Sequence, residues 1–307
     1  MRLASFNVQN MRLRRGPSGP RLDGARDRDL PEDTGPAADQ LDSYDRALTA
    51  ALLAKANADV VALQEVFDQD TLDHFHDTYL RDTGCAPYPH RHCLPGNDGR
   101  GFDVALLSRV NPLAVISHAN LTPRRAGLPT PENVNPDAPI LRRDCLEVAL
   151  PGLSLFLCHL KAPYPDTTAT FQTRHLEALA IRHIIETRFP DPQNALWLIL
   201  GDLNEARAGH GASKPLRGSF SVDLSDRLPE KDRWSYPGPI GDFYTASDVM
   251  LASPALAQRF PSATPTILRE GLGFEARRHT GARLDTVGTH RPHASDHGLI
   301  MIDLKGL

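Results

Sequence analysis

The stretch Leu196–Glu205, LWLILGDLNE, decides the fold. Its first half, Leu196–Leu200, is a fully apolar run, which predicts a central strand covered on both faces. Its second half places Asp202 and Asn204 directly after that strand. Because residues two apart on an extended chain lie on the same face, we expect both polar side chains at one end of a buried strand.

Six further blocks repeat this design, and each is an apolar run that ends in, or is followed by, one or two polar residues. This pattern is typical of a buried strand whose end delivers a side chain to a shared pocket. In chain order the blocks are SFNVQN (Ser5–Asn10), LQEV (Leu63–Val66), FDVALLSR (Phe102–Arg109), CHLK (Cys158–Lys161), SDVMLASP (Ser247–Pro254) and SDH (Ser295–His297).

The polar side chains that the seven blocks deliver are carboxylates, amides and histidines, without cysteines. They are Asn7, Glu65, Asp103, His159, Asp202, Asn204, Asp248, Asp296 and His297. This is the ligand set of a hard cation such as Mg²⁺ or Mn²⁺. Since such an ion acts mainly on phosphate esters, the sequence predicts a metal-dependent phosphoric ester hydrolase.

The remaining segments predict a layered α/β fold. Helical apolar spacing predicts helices over Leu41–Ala56, Asp70–Thr83 and Thr168–Phe189. Strands are expected at residues 2–8, Asp59–Gln64, Phe102–Ser108, Leu153–Leu160, Leu196–Leu200, Val249–Leu251 and Leu299–Ile302. Segments rich in Pro, Gly and charge predict long loops at about 11–40, 122–139 and 206–244.

The length of 307 residues would suggest two domains at roughly 150 residues each. We expect a single domain over 1–307 instead, because Asn7 and His297 would share one pocket. No signal peptide precedes the first strand and no run approaches the length of a membrane helix. The expected location is therefore cytoplasmic, and the sequence indicates no protein partner.

The seven blocks together resemble those of the endonuclease/exonuclease/phosphatase superfamily. That group includes deoxyribonuclease-I-like nucleases, abasic-site endonucleases, sphingomyelinases and inositol polyphosphate phosphatases. The stretch Gly96–Arg109 is more similar to bacterial nuclease-type members than to the inositol phosphatases. The resemblance covers nearly the whole chain and implies a four-layer αββα sandwich, in which two packed mixed sheets are flanked by helices.

The resemblance also implies roles for the polar residues. The metal would be held by Asn7, Glu65 and Asp296, and catalysis would fall to His159, Asp202, Asn204, Asp248 and His297. His159 would donate to a phosphate oxygen, Asn204 would bind the phosphate, and Asp248 would orient His297. Either Asp202 or His297 would be the general base.

For Glu65, Asp103 and Arg143, a structural role is an alternative to a role in the site. Glu65 directly follows a buried strand, where a carboxylate is costly unless it is paired or binds a metal, so a strand-end salt bridge is the alternative. Asp103 would orient His159, or it would pair with a nearby arginine. Arg143 would reach a phosphate oxygen through its fork of donors, with Arg109, Lys161 or a plain surface role as alternatives.

Two substrate classes remain open. The arginine-rich segment Arg12–Arg28, adjacent to Asn7, favours nucleic acid. The net charge of −4 and the pI of about 6.3 favour a small phosphoester such as a phospholipid headgroup, a nucleotide or a sugar phosphate. Salt separates them, because nucleic-acid binding weakens steeply with salt through counterion release.

Overall fold

The structure, a computed structural model, describes residues 1–17, 19–26, 34–132, 134–164, 167–205, 211–238 and 243–307. Its strands in chain order are β1 Arg2–Met11, β2 Leu13–Gly16, β3 Gly19–Leu22, β4 Val60–Val66, β5 His90–Cys93, β6 Asp103–Ser108, β7 Ala114–Ile116, β8 Cys145–Leu150, β9 Leu153–His159, β10 Trp197–Asp202, β11 Val222–Asp223, β12 Tyr236–Pro237, β13 Tyr244–Thr245, β14 Asp248–Ala252, β15 Thr266–Leu268 and β16 Leu299–Asp303. Its α-helices are α1 Gly35–Ala56, α2 Gln69–Phe75, α3 Pro123–Ala126, α4 Thr167–Arg188 and α5 Pro254–Arg259.

Twelve strands form two mixed sheets of six. The first sheet has the order β15-β16-β1-β4-β6-β5 and the second has the order β11-β14-β10-β9-β8-β7. The central pairs β1/β4 and β9/β10 are parallel, and their flanking strands are antiparallel to them. The two sheets therefore have the same arrangement at their centres.

Three large apolar cores show how the layers stack. Phe6 and Val8 of β1 pack with residues of α1, whereas Leu3 of the same strand packs between the sheets. Likewise, Phe156 of β9 packs against α4 while Leu155 faces the other sheet. Because successive strand residues point to opposite faces, each central strand is apolar on both sides. The order α1, first sheet, second sheet, α4 confirms the predicted αββα sandwich.

The prediction of a continuous loop over 11–40 is wrong. Strands β2 and β3 form a hairpin, and α1 begins at Gly35. Leu22 of the hairpin is buried in the core beside α1 and Leu13 packs against that core, while the facing arginines Arg14 and Arg21 pair with Asp23 and Asp39. With only one apolar residue in each of these short strands, the sequence lacks the apolar alternation that marks a strand. The acidic half of the predicted loop, 27–33, lies outside the described residues.

The observed bounds of other helices and loops differ modestly from the predicted ones. The second predicted helix is α-helical only through Phe75 and continues as a π-helical turn over His76–Leu80 and a 3₁₀ turn over Arg81–Thr83. The segment 122–139 contains the one-turn helix α3, and the described parts of 206–244 contain short 3₁₀ turns and two-residue strands. Within the described ranges, no helix combines the length and apolar character that a membrane crossing requires.

A buried polar network ties α1 to the chain that leads into β16. Asp45 of α1 accepts hydrogen bonds from the backbone N–H groups of Ala25 and His293 and from the Arg291 side chain. The His293 Nε2 atom lies 2.8 Å from the backbone oxygen of Ala25. This network fixes the segment that carries Asp296 and His297.

Burial lowers the pKa of His293 to about 4, from an ordinary value of 6.5. The unfolded chain therefore binds this proton more tightly, so the free energy of unfolding is undiminished above pH about 6.5 and falls as the pH drops towards about 4. At low pH this difference lowers the free energy of unfolding by roughly 3 kcal/mol, and we expect the His293→Gln variant not to show that decrease. Urea unfolding of both proteins at pH 7 and pH 4.5 measures it, and equal losses would contradict the assignment.

Candidate active site

The predicted polar residues meet where the central strands end. Asp202 at the end of β10 stands in register with His159 at the end of β9 and with Asp248 at the start of the antiparallel strand β14. In the other sheet, Glu65 is the penultimate residue of β4, and Asn7 lies within β1 opposite Gln64. Neighbouring parallel strands end at the same edge of a sheet. Polar side chains that follow apolar runs in distant parts of the sequence therefore lie close together there.

Asp202 is the centre of the cluster. Its Oδ2 atom lies 3.3 Å from Asn7 Nδ2, 3.6 Å from His159 Nε2 and 3.8 Å from His297 Nε2. Its Oδ1 atom accepts a 2.7 Å hydrogen bond from the backbone N–H of Asn204. One carboxylate thus contacts four of the predicted residues.

The conformation of Gly201 permits this position for Asp202. Gly201 has a φ of +143°, and a Cβ atom there would lie 1.8 Å from the backbone oxygen of Cys158. Only glycine tolerates both the backbone conformation and the close approach of the two strands.

His297 is held from two sides. Its Nδ1 atom lies 2.7 Å from Asp248 Oδ2, which also accepts a hydrogen bond from Ser235 Oγ at 2.5 Å. The ring of Tyr236 lies against His297, with the ring centroids 4.8 Å apart. Asp248 therefore accepts the Nδ1 proton of His297, and Nε2 faces Asp202.

Electrostatics separate the two candidate bases. Burial, aided by the negative charges of Asp248 and Glu65, raises the pKa of Asp202 to about 6. Burial alone would lower the pKa of His297, but the charges of Asp248, Asp296 and Asp202 raise it well above 6.5. Near neutral pH the pair is therefore a carboxylate beside an imidazolium.

His159 differs from His297 in its charge. Burial, followed by the positive charge of Arg143, lowers the pKa of His159 well below its ordinary value. Its ring is thus neutral at pH 7, and Nε2 lies 3.9 Å from Glu65 Oε1. Because its lowered pKa makes this imidazole a weak base, it suits a hydrogen-bonding role rather than proton abstraction.

Glu65 occupies a bulge. The pairing of β4 with β6 shifts register between Gln64 and Val66, and Glu65 has a φ of +68°. Bulges of this kind re-aim a side chain next to an active site. Here the carboxylate accepts hydrogen bonds from Asn7 Nδ2 at 3.3 Å and from the backbone N–H of Asn10 at 2.8 Å.

The donor chemistry suits a hard divalent cation. Oxygens of Glu65, Asp202 and Asp296 face one cavity. Across the ranges that the structure describes, no group of three or more His, Cys, Asp or Glu side chains is arranged to hold an ion unaided. Mg²⁺ usually keeps several waters and binds through one or two carboxylates, so these residues fit it.

Two predicted residues lie further out. Arg143 lines the cavity, with its Nη1 atom 3.3 Å from the backbone oxygen of Leu160 and its Nε atom 2.9 Å from Asp98 Oδ2. Among the described residues, Asp103 forms no hydrogen bond or ion pair with His159. Burial raises the pKa of Asp103 to about 6. Its orienting role therefore stays a prediction without a contact to support it.

The cavity at this edge has a volume of about 1340 Å³. Besides the residues above, five arginines line it: Arg12, Arg14, Arg100, Arg143 and Arg174. Aromatic side chains line it too: Phe67, Phe102, Tyr164, Phe171, Tyr236 and Phe243. A wide cleft of this composition accommodates an extended anionic ligand with flat groups.

Sequence reasoning missed two contributors. The ring of Tyr236 lies against His297, whereas the nearby Trp234 packs with Leu272 and Ala276. The buried carboxylate of Glu177 on α4 accepts hydrogen bonds from the backbone N–H groups of Arg142 and Lys161. It therefore fixes the chain just before β8 and just after β9. No local motif signals either contact, because both partners are distant in sequence.

The Asp248–His297 pair can be tested without an activity assay. Asp248→Asn removes the main charge that raises the pKa of His297, so we expect that pKa to fall. Histidine titration by NMR on metal-free protein measures it, with the exposed Asp137→Asn as the control. An unchanged His297 titration would contradict the pairing.

The sequence model of the Endonuclease/Exonuclease/phosphatase family matches residues 4–297. A structure of truncated Caenorhabditis elegans TDP2 is similar, with a TM-score of 0.58 at 16% identity, over 98% of this chain and 96% of that one. The structure of the 3′ phosphatase NExo from Neisseria, bound to product DNA hairpin, is similar with a TM-score of 0.56 at 16% identity. The match covers 99% of this chain and 98% of that one. An endonuclease/exonuclease/phosphatase family protein from Leptotrichia buccalis has a TM-score of 0.56 at 13% identity, over 99% of this chain and 98% of that one.

No curated protein matches the chain. At such low identities the solved structures support the fold alone, whereas the family model spans nearly the whole sequence. The chain belongs to the endonuclease/exonuclease/phosphatase family.

Proposed function

We propose that this protein is a divalent-metal-dependent phosphodiesterase that hydrolyses nucleic-acid phosphodiester bonds with an activated water. The observation that carries the proposal is the position of Asp202, which contacts Asn7, His159 and His297 at one side of a wide cavity. Such a cluster combines a proton acceptor, hydrogen-bond donors and oxygen ligands around one point.

The residues divide into three tasks. Asn7, Glu65 and Asp296 would hold Mg²⁺ or Mn²⁺, which when bound supplies Lewis-acid polarisation of a phosphate oxygen. His159 and Asn204 would donate hydrogen bonds to the phosphate, and Arg143 would add charge-assisted donors. Donors aimed at the charge that develops in the transition state usually contribute more to such catalysis than any other single effect.

Between the two candidate bases we infer that Asp202 takes the proton of the attacking water. With its pKa near 6 it is ionised at neutral pH, whereas His297 is already protonated there and has no free lone pair. The imidazolium, held by Asp248, would then stabilise the growing negative charge or protonate the leaving oxygen.

The cavity favours nucleic acid over a small ester. Its volume of about 1340 Å³ exceeds the roughly 300–1,000 Å³ of most small-molecule sites. Arginine and aromatic side chains along it suit phosphates and stacked bases. The similar Neisseria protein was solved with a DNA hairpin product. These observations favour a polynucleotide despite the acidic net charge.

A small phosphoester remains the second candidate, because the net charge of −4 gives no long-range attraction for nucleic acid. The salt dependence of kcat/KM separates the two. A polynucleotide substrate predicts a steep fall of log kcat/KM with log salt concentration, whereas a flat response together with faster hydrolysis of a nucleotide or headgroup ester would favour the alternative.

The purified protein is expected to cleave plasmid DNA or oligonucleotides with Mg²⁺ or Mn²⁺ and to stop when EDTA is added. His297→Ala and Asp202→Asn should each lower the rate by about 10²–10⁴-fold. His183→Ala, which removes a histidine from α4 outside the cavity, is the matched control. Absence of cleavage by folded, metal-supplied protein would refute the nuclease assignment.

The pH profile tests Asp202 as the base. Protonation of Asp202 below pH about 6 removes the acceptor, so kcat/KM should fall about tenfold per pH unit below that point. A rate that stays constant from pH 7.5 down to pH 5 would contradict this role.

A further inference from the structure

Arg12 has an unusual setting at the rim of the cavity. It follows β1, and its guanidinium carbon lies 3.8 Å from the centroid of the Phe67 ring. Phe67 itself comes two residues after Glu65, and both Arg12 and Phe67 line the cavity that contains Asp202. A guanidinium so close to a ring is held by cation–π attraction and stacking.

The Phe67 ring is a fixed support. Its backbone N–H donates to the oxygen of Met11 at 3.0 Å, and its ring meets Phe102 edge-on with the centroids 6.2 Å apart. On a third side the backbone of Gly101 is so close that an added Cβ would lie 2.5 Å from the ring. Arg12 therefore rests on a platform whose position is set by the end of β1 and by the adjacent residues Gly101 and Phe102.

Arg12 also differs from its neighbours in charge balance. Arg14 is paired with Asp23, and both Arg100 and Arg143 lie next to Asp98. In the described part of the chain, Arg12 forms no ion pair and no side-chain hydrogen bond. Its five N–H donors are left available, and its charge is not neutralised by any carboxylate of the site.

A stacked, uncompensated guanidinium at a cavity rim is suited to bind a phosphate through its fork of donors. The cluster around Asp202 already provides the groups that would bind the scissile phosphate, and Arg12 contacts none of them. We propose that Arg12 binds a second phosphate of the substrate, so that the site selects polynucleotides over esters with a single phosphate. This inference rests on the proposed function and specifies its substrate class.

The test compares two substrates and one control variant. One substrate is a single-stranded oligonucleotide and the other is bis(p-nitrophenyl) phosphate, a diester with one phosphate. We expect Arg12→Ala to lower the ratio of their kcat/KM values about tenfold, as loss of a charge-assisted hydrogen bond predicts. Arg124→Ala removes the same charge from α3, where Arg124 pairs with Asp137 outside the cavity, and should leave the ratio unchanged.

Binding provides a readout that does not require cleavage. Fluorescence anisotropy with a labelled oligonucleotide in EDTA should show weaker binding by Arg12→Ala. The slope of log affinity against log salt should fall by about one. Arg12→Lys keeps the charge but loses the planar fork, so it should restore the salt slope and only part of the affinity.

The outcomes separate the two proposals. If Arg12→Ala and Arg124→Ala give equal kcat/KM ratios and equal oligonucleotide binding, the second-phosphate site is overturned whether or not the enzyme cleaves DNA. If the unaltered protein cleaves no diester yet binds oligonucleotide through Arg12, the proposed hydrolysis fails while the phosphate site stands. A protein that neither binds nor cleaves would overturn both.

Discussion

Negative charge concentrated at one buried sheet edge is the constraint on which the rest of the structure depends. Asp202 and Asp248 are almost fully buried there, next to partly buried Glu65 and Asp296. Because buried charges are tolerated only when paired or metal-bound, each is held by donors, and His297 carries a compensating positive charge. Burial, ahead of the charges of Asp248 and Glu65, raises the pKa of Asp202 to about 6.

The fold holds these charges in place through groups far from them. Fully buried Arg46 of α1 donates to the backbone oxygens of Val8 and Gln9 at 2.6 and 2.7 Å. These hydrogen bonds fix the end of β1, where Gln9 and Asn10 have positive φ. The Gln9 side chain in turn accepts a hydrogen bond from the backbone N–H of Asp296. Glu177 does the same for the flanks of β8 and β9. Rigid helices thus determine the geometry of the strand ends.

The sequence predicted the layers and the meeting of polar strand ends because both follow from local patterns. A run such as Leu196–Leu200 indicates burial on two faces, and an acid after it indicates a shared edge. The sequence could not predict contacts made by the fold alone, such as Tyr236 on His297 or Arg143 beside Asp98. Nor could it reveal the β2–β3 hairpin, whose arginine-rich strands form ion pairs and bury one leucine each without an alternating apolar pattern.

The central claim is that the carboxylates at this edge are completed by a divalent cation. Titration of Mn²⁺ followed by electron paramagnetic resonance tests it directly, with Glu65→Gln as the variant and Glu230→Gln, on a 3₁₀ turn outside the cavity, as the control. We expect saturable binding by the unaltered protein and the control, and binding at least about tenfold weaker in Glu65→Gln. Equal binding by all three proteins, or no saturable binding by any, would contradict it.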